Sequence, residues 1–583
     1  MNWQVIAEAR RKLERERGTI IKDWGGRIPI ALAYPNTYYV GMSNLGFQTI
    51  YRLFNRYPDV VCERVFYEGR GERGEGRGER RTLISLESQR PLGDFAVLAF
   101  SISFELDYFN VVDMLRQAGI PLLAEERDEA YPLLVAGGIA VTANPEPLAP
   151  IFDALVIGEG EAILPTFVAA LREGIDNKGE LIEGLAKIPG VYVPSQHQAS
   201  SSQHSIKRQW VRNLDDHPTT SVVLTDDTEF GHMYLIEVAR GCGRGCRFCL
   251  SGYAQRPMRE RSLEALLAQA REGLRYGRRI GLVGTAISDY SRINELVAGL
   301  RQMGARLAVS SLRVDPLPEA LVQALADDEW SRPDGKPLAL SRFVPQWRRD
   351  HSSESGARTL TIAPEAGSER LRNLINKGIS KDDVIHAAEM ADRYRFRRLK
   401  LYFMIGLPTE TDEDVGEIVN LTLSLKAHFR GRIAVSVSPF VPKAQTPFQW
   451  AAMAPLEVLR ERLDRLKGSL RPEGIEVKAD SPAWARVQGV LSRGDRRLAQ
   501  ALIAMRGRSL SAWRRALRDC GLKATDYLRE RAPDEPLPWS HIDSGVNVSY
   551  LRREWERAKA GVLTAACPPT GCTACGVCGQ SAD

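Results

Sequence analysis

Residues 233–253 read MYLIEVARGCGRGCRFCLSGY, an apolar run followed at once by three cysteines in the pattern C-x3-C-x2-C. MYLIEVA is short, apolar and bounded by glycine, which is the signature of a buried strand. Cys242, Cys246 and Cys249 follow on a loop relaxed by Gly241, Gly243 and Gly245. A structural zinc site closes four ligands, usually as two separated pairs. Here three thiols lie within eight residues, and the nearest other cysteines, Cys62 and Cys520, are remote in sequence. The spacing suits three corners of a cubane iron-sulfur cluster, which leaves one iron open to a small molecule.

Working outward from this stretch, IGLVG, RLAVSS, TLTIAP, RLKLYFMIG and IAVSVSP repeat the strand signal, with helical patterns such as LEALLAQAREGLRYG and INELVAGLRQMG between them. Six strands joined by helical crossovers predict a partial (β/α)6 barrel of TIM type, whose chemistry lies at the carboxyl ends of the strands. The cysteine run sits at such an end. Upstream, IPIALAYP, VVCERVFY, FAVLAFSIS, PLLVAGG and FDALVIGEG alternate with the helical LGFQTIYRLFN and NVVDMLRQAG. This predicts an α/β, doubly wound, Rossmann-like parallel sheet with a ligand crevice outside its strand ends.

The expected domains are a Rossmann-like unit with an N-terminal helix over 1–193, a linker over 194–218, the barrel over 219–450, a mainly helical region over 451–562 and a cysteine-rich tail over 563–583. RGERGEGRGERR (70–81) reads as a solvated loop, PSQHQASSSQHS (194–205) has linker composition, and a polar stretch over 327–356 reads as an excursion from the barrel. The 583 residues are 44% hydrophobic and 26% charged, as in ordinary globular proteins. The charged amino terminus lacks the apolar core of a signal peptide, and no apolar run is long enough to span a bilayer. A cytoplasmic protein with no membrane partner is expected. A net charge of +6 is too mild to identify a substrate.

Phe248 completes the pattern C-x3-C-x-aromatic-C, and with it the chain resembles the radical S-adenosylmethionine (SAM) superfamily. The resemblance implies a 4Fe-4S cluster on Cys242, Cys246 and Cys249, SAM chelated at the open iron, and one-electron cleavage to a 5'-deoxyadenosyl radical, with an electron donor of the flavodoxin or ferredoxin kind. It implies further SAM contacts at Phe248, at Gly284 and Thr285 in VGTAIS, at Ser310, Ser311 and Arg313 in SSLRVD, and at Glu365 in IAPEAGSERLR. Arg313 offers the fork geometry that a carboxylate prefers. YFMIGLPTET (402–411) is similar to the family's element near the adenine.

The amino-terminal half resembles the cobalamin-binding domain often fused to such barrels, most closely in AGGIAVTANPEPLAPIFDALVIGEGE (136–161). That implies cofactor contacts at Gly137, Gly138, Gly158 and Glu159. The chain departs from the pattern in having no histidine before His197, so the D-x-H-x-x-G motif is absent. Any cobalamin would bind without a histidine from this domain. The alternative is a retained fold without a corrin. The domain order, with SVSPFVPKAQTPFQW, VLSRGDRR, LPWSHID and CTACGVC, is similar to a family of cobalamin-domain radical SAM fusion proteins along nearly the whole chain.

In the tail, CPPTGCTACGVC spaces Cys567, Cys572, Cys575 and Cys578 by four, two and two residues. C-x2-C-x2-C is ferredoxin-like and tight for zinc, so a second 4Fe-4S cluster, a zinc site and a flexible thiol tail are the three readings. DRYRFRRLK (392–400) interleaves arginines with Tyr394 and Phe396, either as a solvated face or as an RNA-stacking surface. The expected function is a radical SAM enzyme acting on an unknown substrate, with cobalamin-dependent methyl transfer as its elaboration. The alternatives are sulfur insertion or methylthiolation of RNA or protein, and a non-catalytic iron-sulfur and corrin sensor.

Overall fold

The computed structural model describes residues 3–67, 69, 83–196, 205–326, 359–568 and 571–578. The expected loop over 70–81, most of the linker stretch and the excursion over 327–356 lie outside them.

The amino-terminal sheet contains β1 (Ile28–Tyr34), β2 (Val60–Phe66), β3 (Val97–Ser101), β4 (Leu133–Gly137), β5 (Ala154–Val156) and β6 (Val191–Tyr192), in the order β2-β1-β3-β4-β5-β6. All pairings are parallel except that of the edge strand β6. Each face takes alternate residues: Ile30 and Leu32 pack with Phe47 and Phe167, whereas Ala31 and Ala33 pack with Phe109 and Leu115. The chain reverses its winding between β1 and β3, which makes their carboxyl ends the switch point where such sheets open a crevice.

After β7 (Ile206–Lys207), the second sheet system runs through β8 (Tyr234–Glu237), β9 (Ala239–Arg240), β10 (Arg259–Glu260), β11 (Arg279–Val283), β12 (Arg306–Val309), β13 (Thr359–Glu365), β14 (Arg398–Ile405), β15 (Arg432–Pro439) and β16 (Glu476–Ala479). β12-β11-β8 and β13-β14-β15-β16 form two parallel sheets, joined by a parallel bridge between Leu312 and Ile362. The expected six barrel strands are β8, β11, β12, β13, β14 and β15. β16 adds a seventh from within the region expected to be helical. Its sequence, EVKA, is too short and polar to signal a strand, and parallel pairing with β15 makes it one.

The carboxy-terminal helices return to the amino-terminal domain. Phe109 meets Trp513 at 5.4 Å edge to face, and Asn144 donates to the carbonyl of Gly494 at 2.8 Å. Buried Glu146, Tyr192 and His541 form one cluster with the partly exposed Arg496, so NPEP, SRGDRR and WSHID converge from three separate parts of the sequence. β7 pairs with β17 (Ile542–Asp543), which ties the end of the expected linker to the same region. Among the described residues no helix is long and apolar enough to cross a membrane.

Candidate active site and metal centres

The cysteine loop leaves the carboxyl end of the first barrel strand and is pinched at its base by the antiparallel pair β9 and β10. Gly241 has φ +82°, and a Cβ there would lie 2.4 Å from the carbonyl oxygen of Gln255, so only glycine closes this neck. Cys242 is buried, and Cys246 and Cys249 are partly exposed. Burial, with the neighbouring Cys246 and Cys242, pushes the Cys249 thiol up to about 12. Burial likewise raises Cys242. The three sulfurs are thus close enough to feel one another. Among the described residues, however, no three Cys, His, Asp or Glu side chains meet as a single metal ion requires.

The loop's surroundings are cationic. Nη1 of Arg313 lies 4.0 Å from the sulfur of Cys246. Lys377 is 9% exposed and paired with Glu365 at 3.2 Å; burial alone would lower its pKa, but Glu365 and Cys246 raise it. Glu365 has φ +70° beside a register shift in β13, an irregularity of the kind that re-aims a side chain. Three loop-borne thiols among fixed cations fit an anionic, thiolate-ligated cluster, and metal binding there would have to displace the thiol protons.

The other residues singled out in the sequence divide by environment. Gly284 follows β11, and Thr285 is exposed beside it; Ser310 and Ser311 are exposed at the end of β12. Arg313 does not present a free fork, since it pairs with Asp315 at 2.7 Å and donates to the carbonyl of Lys377. Phe248 packs in the cluster that holds Tyr253, Trp555 and Cys575. In GLPTET, Glu410 turns inward to accept from the Gly406 amide at 2.6 Å and from Arg462, which makes this element a braced corner. Phe396 is buried in the core, and the Tyr394 hydroxyl donates to Glu319, so this pair does not form the open stacking surface expected of an RNA site.

A cavity of about 580 Å³ opens at the switch point of the amino-terminal sheet. Gly46, Ser101, Ser103, Gly137, Gly138, Gly158 and Glu159 line one side, and Glu237, Ser251, Gln255 and Val283 of the barrel face them. Glu159 and Glu161 are not loose ligands. Arg240 binds them at 3.0 and 2.8 Å and Glu237 at 2.9 Å, and Arg259 binds Glu159 at 2.6 Å. Burial would raise Glu159, but Arg259 and Arg240 hold it below its ordinary range. The GEGE motif therefore fastens the sheet to the residue two before Cys242.

Three contributors gave no sequence signal. Asn376 donates to the carbonyl of Gly245 at 3.2 Å and accepts from the amide of Thr564 at 2.8 Å, bridging loop and tail. The fully buried Arg247 binds Glu554 at 3.1 Å and the carbonyl of Val562 at 2.6 Å. Lys377 lies 12 residues beyond Glu365 in an unremarkable NKG turn. These contacts join segments more than 100 residues apart or hide in ordinary turns.

Known proteins resemble both halves of the chain. A family model described as the N-terminal domain of radical SAM proteins matches residues 46–194, and the radical SAM superfamily model matches residues 236–422. An uncharacterised protein of Methanocaldococcus jannaschii is 29% identical over 477 residues, covering 81% of this chain and 90% of the relative. An uncharacterised methyltransferase of Pyrococcus horikoshii is 26% identical over 50% of this chain and 58% of its own length. Among solved structures, the cobalamin-dependent SAM radical enzyme OxsB with aqua-cobalamin bound overlaps 68% of this chain and 52% of its own, at 16% identity and a TM-score of 0.45. With the two radical SAM models together matching more than half of the chain, and the second spanning the C-x3-C-x2-C loop at its strand end, the chain belongs to the radical SAM superfamily.

Proposed function

We propose that the protein is a radical SAM enzyme that abstracts hydrogen from a substrate carbon, with Cys242, Cys246 and Cys249 as ligands of its 4Fe-4S cluster. The observation that carries this reading is the three-thiol loop at a barrel strand end, ringed by Arg313 and Lys377. When bound, the cluster and SAM supply a 5'-deoxyadenosyl radical. The chain's own residues position SAM and exclude water. Glu365, fixed by Lys377, accepts a hydrogen bond from an amino or hydroxyl group, and Thr285, Ser310 and Ser311 present exposed hydroxyls along neighbouring strand ends. Arg313, held by Asp315, offsets thiolate charge.

The cavity between sheet and barrel favours an elaboration of this reading, cobalamin-dependent methyl transfer. Its wall is mostly apolar and, among the described residues, carries no histidine, which fits a corrin held without a protein imidazole. The cavity's volume is that of a site for a drug-sized ligand, so it would enclose only part of a whole cobalamin. The methyltransferase description of the Pyrococcus horikoshii relative supports the same chemistry.

The test is anaerobic reconstitution, with 5'-deoxyadenosine measured after addition of dithionite and SAM. Cleavage by the wild type and none by a Cys242→Ala/Cys246→Ala/Cys249→Ala variant is expected. Iron binding without any SAM cleavage, with or without cobalamin, would replace the enzyme reading by the sensor one. A cobalt absorption spectrum in the purified protein separates methyl transfer from sulfur insertion.

A further inference from the structure

The tail lies against the cysteine loop. The amide of Cys567 donates to the carbonyl of Gly243, between Cys242 and Cys246, at 2.8 Å. A Cβ on Gly243 would lie 3.4 Å from the Cβ of Cys567. Helix Val548–Lys559 and the segment after it are clamped to the same loop by Arg247, while the Asn547 amide donates to the carbonyl of Cys575 at 2.9 Å. Cys575 is buried in the apolar cluster around Phe248 and Trp555, and Cys578 is exposed. The tail thus runs from the radical site's loop to solvent.

Arg256 stands between the two cysteine groups. It is 2% exposed, stacks over Tyr253 at 4.5 Å and Tyr550 at 5.4 Å, and keeps one buried guanidinium nitrogen, Nη1, without a hydrogen-bond partner. Its Nη2 lies 3.3 Å from where a Cβ of Gly245 would be, and its charge acts on Cys567. Nε donates to the carbonyl of Gly252 at 2.9 Å, but a buried guanidinium with an unpartnered nitrogen is costly unless an anionic group completes its environment. A thiolate-ligated cluster on the tail would do so.

From this arrangement we propose that Cys567, Cys572, Cys575 and Cys578 ligate a second iron-sulfur cluster, docked on the first through the Gly243–Cys567 contact, and that it is the electron entry to the radical site. The proposal rests on the radical SAM reading for its electron acceptor and on the tail itself for its metal. A one-electron carrier of the flavodoxin or ferredoxin class reduces the tail cluster at the exposed Cys578 end. The tail cluster returns to its oxidised state as the electron passes to the first cluster, and no bond in the protein forms or breaks. The ferredoxin-like run of Cys572, Cys575 and Cys578, with Cys567 arriving from the docking turn, favours iron over zinc.

The full-length wild type, the Cys242→Ala/Cys246→Ala/Cys249→Ala variant and a Cys572→Ser/Cys575→Ser variant would be reconstituted anaerobically, with iron and zinc counted and reduced-state electron paramagnetic resonance recorded. About eight irons per chain are expected in the wild type and about four in each variant, with two distinct reduced signals lost one at a time. Zinc in the tail, or an unchanged iron count in the Cys572→Ser/Cys575→Ser variant, overturns the second cluster. SAM cleavage by that variant should persist with dithionite and fall at least tenfold with a reduced flavodoxin; equal losses with both reductants overturn the electron-entry role. If the wild type never cleaves SAM, the enzyme reading fails, while the iron count and spectra still decide the tail. Arg256→Gln should lower the tail signal's reduction potential and leave the iron count unchanged, because a positive charge next to a cluster favours its reduced form.

Discussion

The amino-terminal sheet and the barrel solve the same geometric problem with opposite contents. Both are parallel, both open at the carboxyl ends of their strands, and the two openings face each other. The sheet end holds space, about 580 Å³ walled mainly by glycine, serine and apolar side chains with paired charges at its rim, and among the described residues its lining has neither cysteine nor histidine. The barrel end holds thiols on a tightly necked loop, with Arg313 beside them. Chemistry and volume are thus divided between two domains, and Arg240 joins them. The division teaches that each half is incomplete as a site without the other.

The most severe break of this comparison removes the chemistry and spares the volume. Cys246→Ala should take about four irons from the chain and reduce 5'-deoxyadenosine formation to background. The circular dichroism spectrum and the binding of any ligand to the sheet cavity should stay as in the wild type. Iron retention in this variant would move the cluster elsewhere.

Breaking the joint comes next. Arg240→Ala strands Glu161 without its ion partner and leaves Glu159 and Glu237 with one arginine each, Arg259 and Arg261. Truncating one partner of a buried ion-pair network costs about 3–5 kcal/mol. The expected result in chemical denaturation is a lower midpoint, with the sheet and barrel transitions separating. A single unshifted transition would show that the carboxy-terminal contacts at Asn144 and Glu146 suffice to hold the halves together.

Each half also carries a carboxyl that burial pushes up to about 7: Asp107 in the sheet domain and Glu410 in the barrel. Both bind their proton more tightly in the folded state than in the unfolded chain. Their stabilising contribution is therefore complete below the ordinary carboxyl range and is lost as pH rises towards 7. Between pH 5 and 8 the wild type should lose about 1–3 kcal/mol of stability to each. Asp107→Asn should flatten the dependence of the sheet domain and Glu410→Gln that of the barrel, read from denaturant midpoints. If both substitutions flatten one shared transition, the two domains unfold as a single unit.

Much of this organisation could be read before any coordinates. Strands β1, β3, β4 and β5 carry continuous apolar runs, because central parallel strands are buried on both faces, while β13 and β14 alternate buried with more exposed residues. The helix Leu45–Asn55 coincides with LGFQTIYRLFN, since an amphipathic stripe and Asn44 as cap mark its start. The three-thiol loop was legible because its cysteines fall within eight residues of one another, directly after a strand. β16 was not, because its four residues, two of them charged, become a strand only by pairing with β15. The ion pairs of GEGE were hidden for a related reason: Arg240 and Arg259, which bind Glu161 and Glu159, lie 79 and 100 residues later in the chain. Asn376 and Arg256 were likewise invisible, since their meaning lies in partners that only the fold brings near.

The finest test fills the space and leaves the chemistry alone. Gly46 lies on the cavity wall within helix Leu45–Asn55, and a Cβ there would meet only the side-chain oxygen of Asn44, at 3.2 Å. Asn44 caps that helix by accepting from the Phe47 amide, so its side chain must give by a few tenths of an ångström. Replacing a helical glycine also recovers up to about 1 kcal/mol of helix propensity, which opposes that cost. Gly46→Phe should therefore leave the melting temperature within about 3 °C of the wild type and the iron count unchanged. Its bulk would occupy volume that a substrate or corrin needs. Loss of product formation or of cobalt uptake, with uncoupled SAM cleavage retained, would place the second reactant in the sheet's crevice; full turnover would place it on the barrel side, because the thiol loop and its cations are untouched by the change.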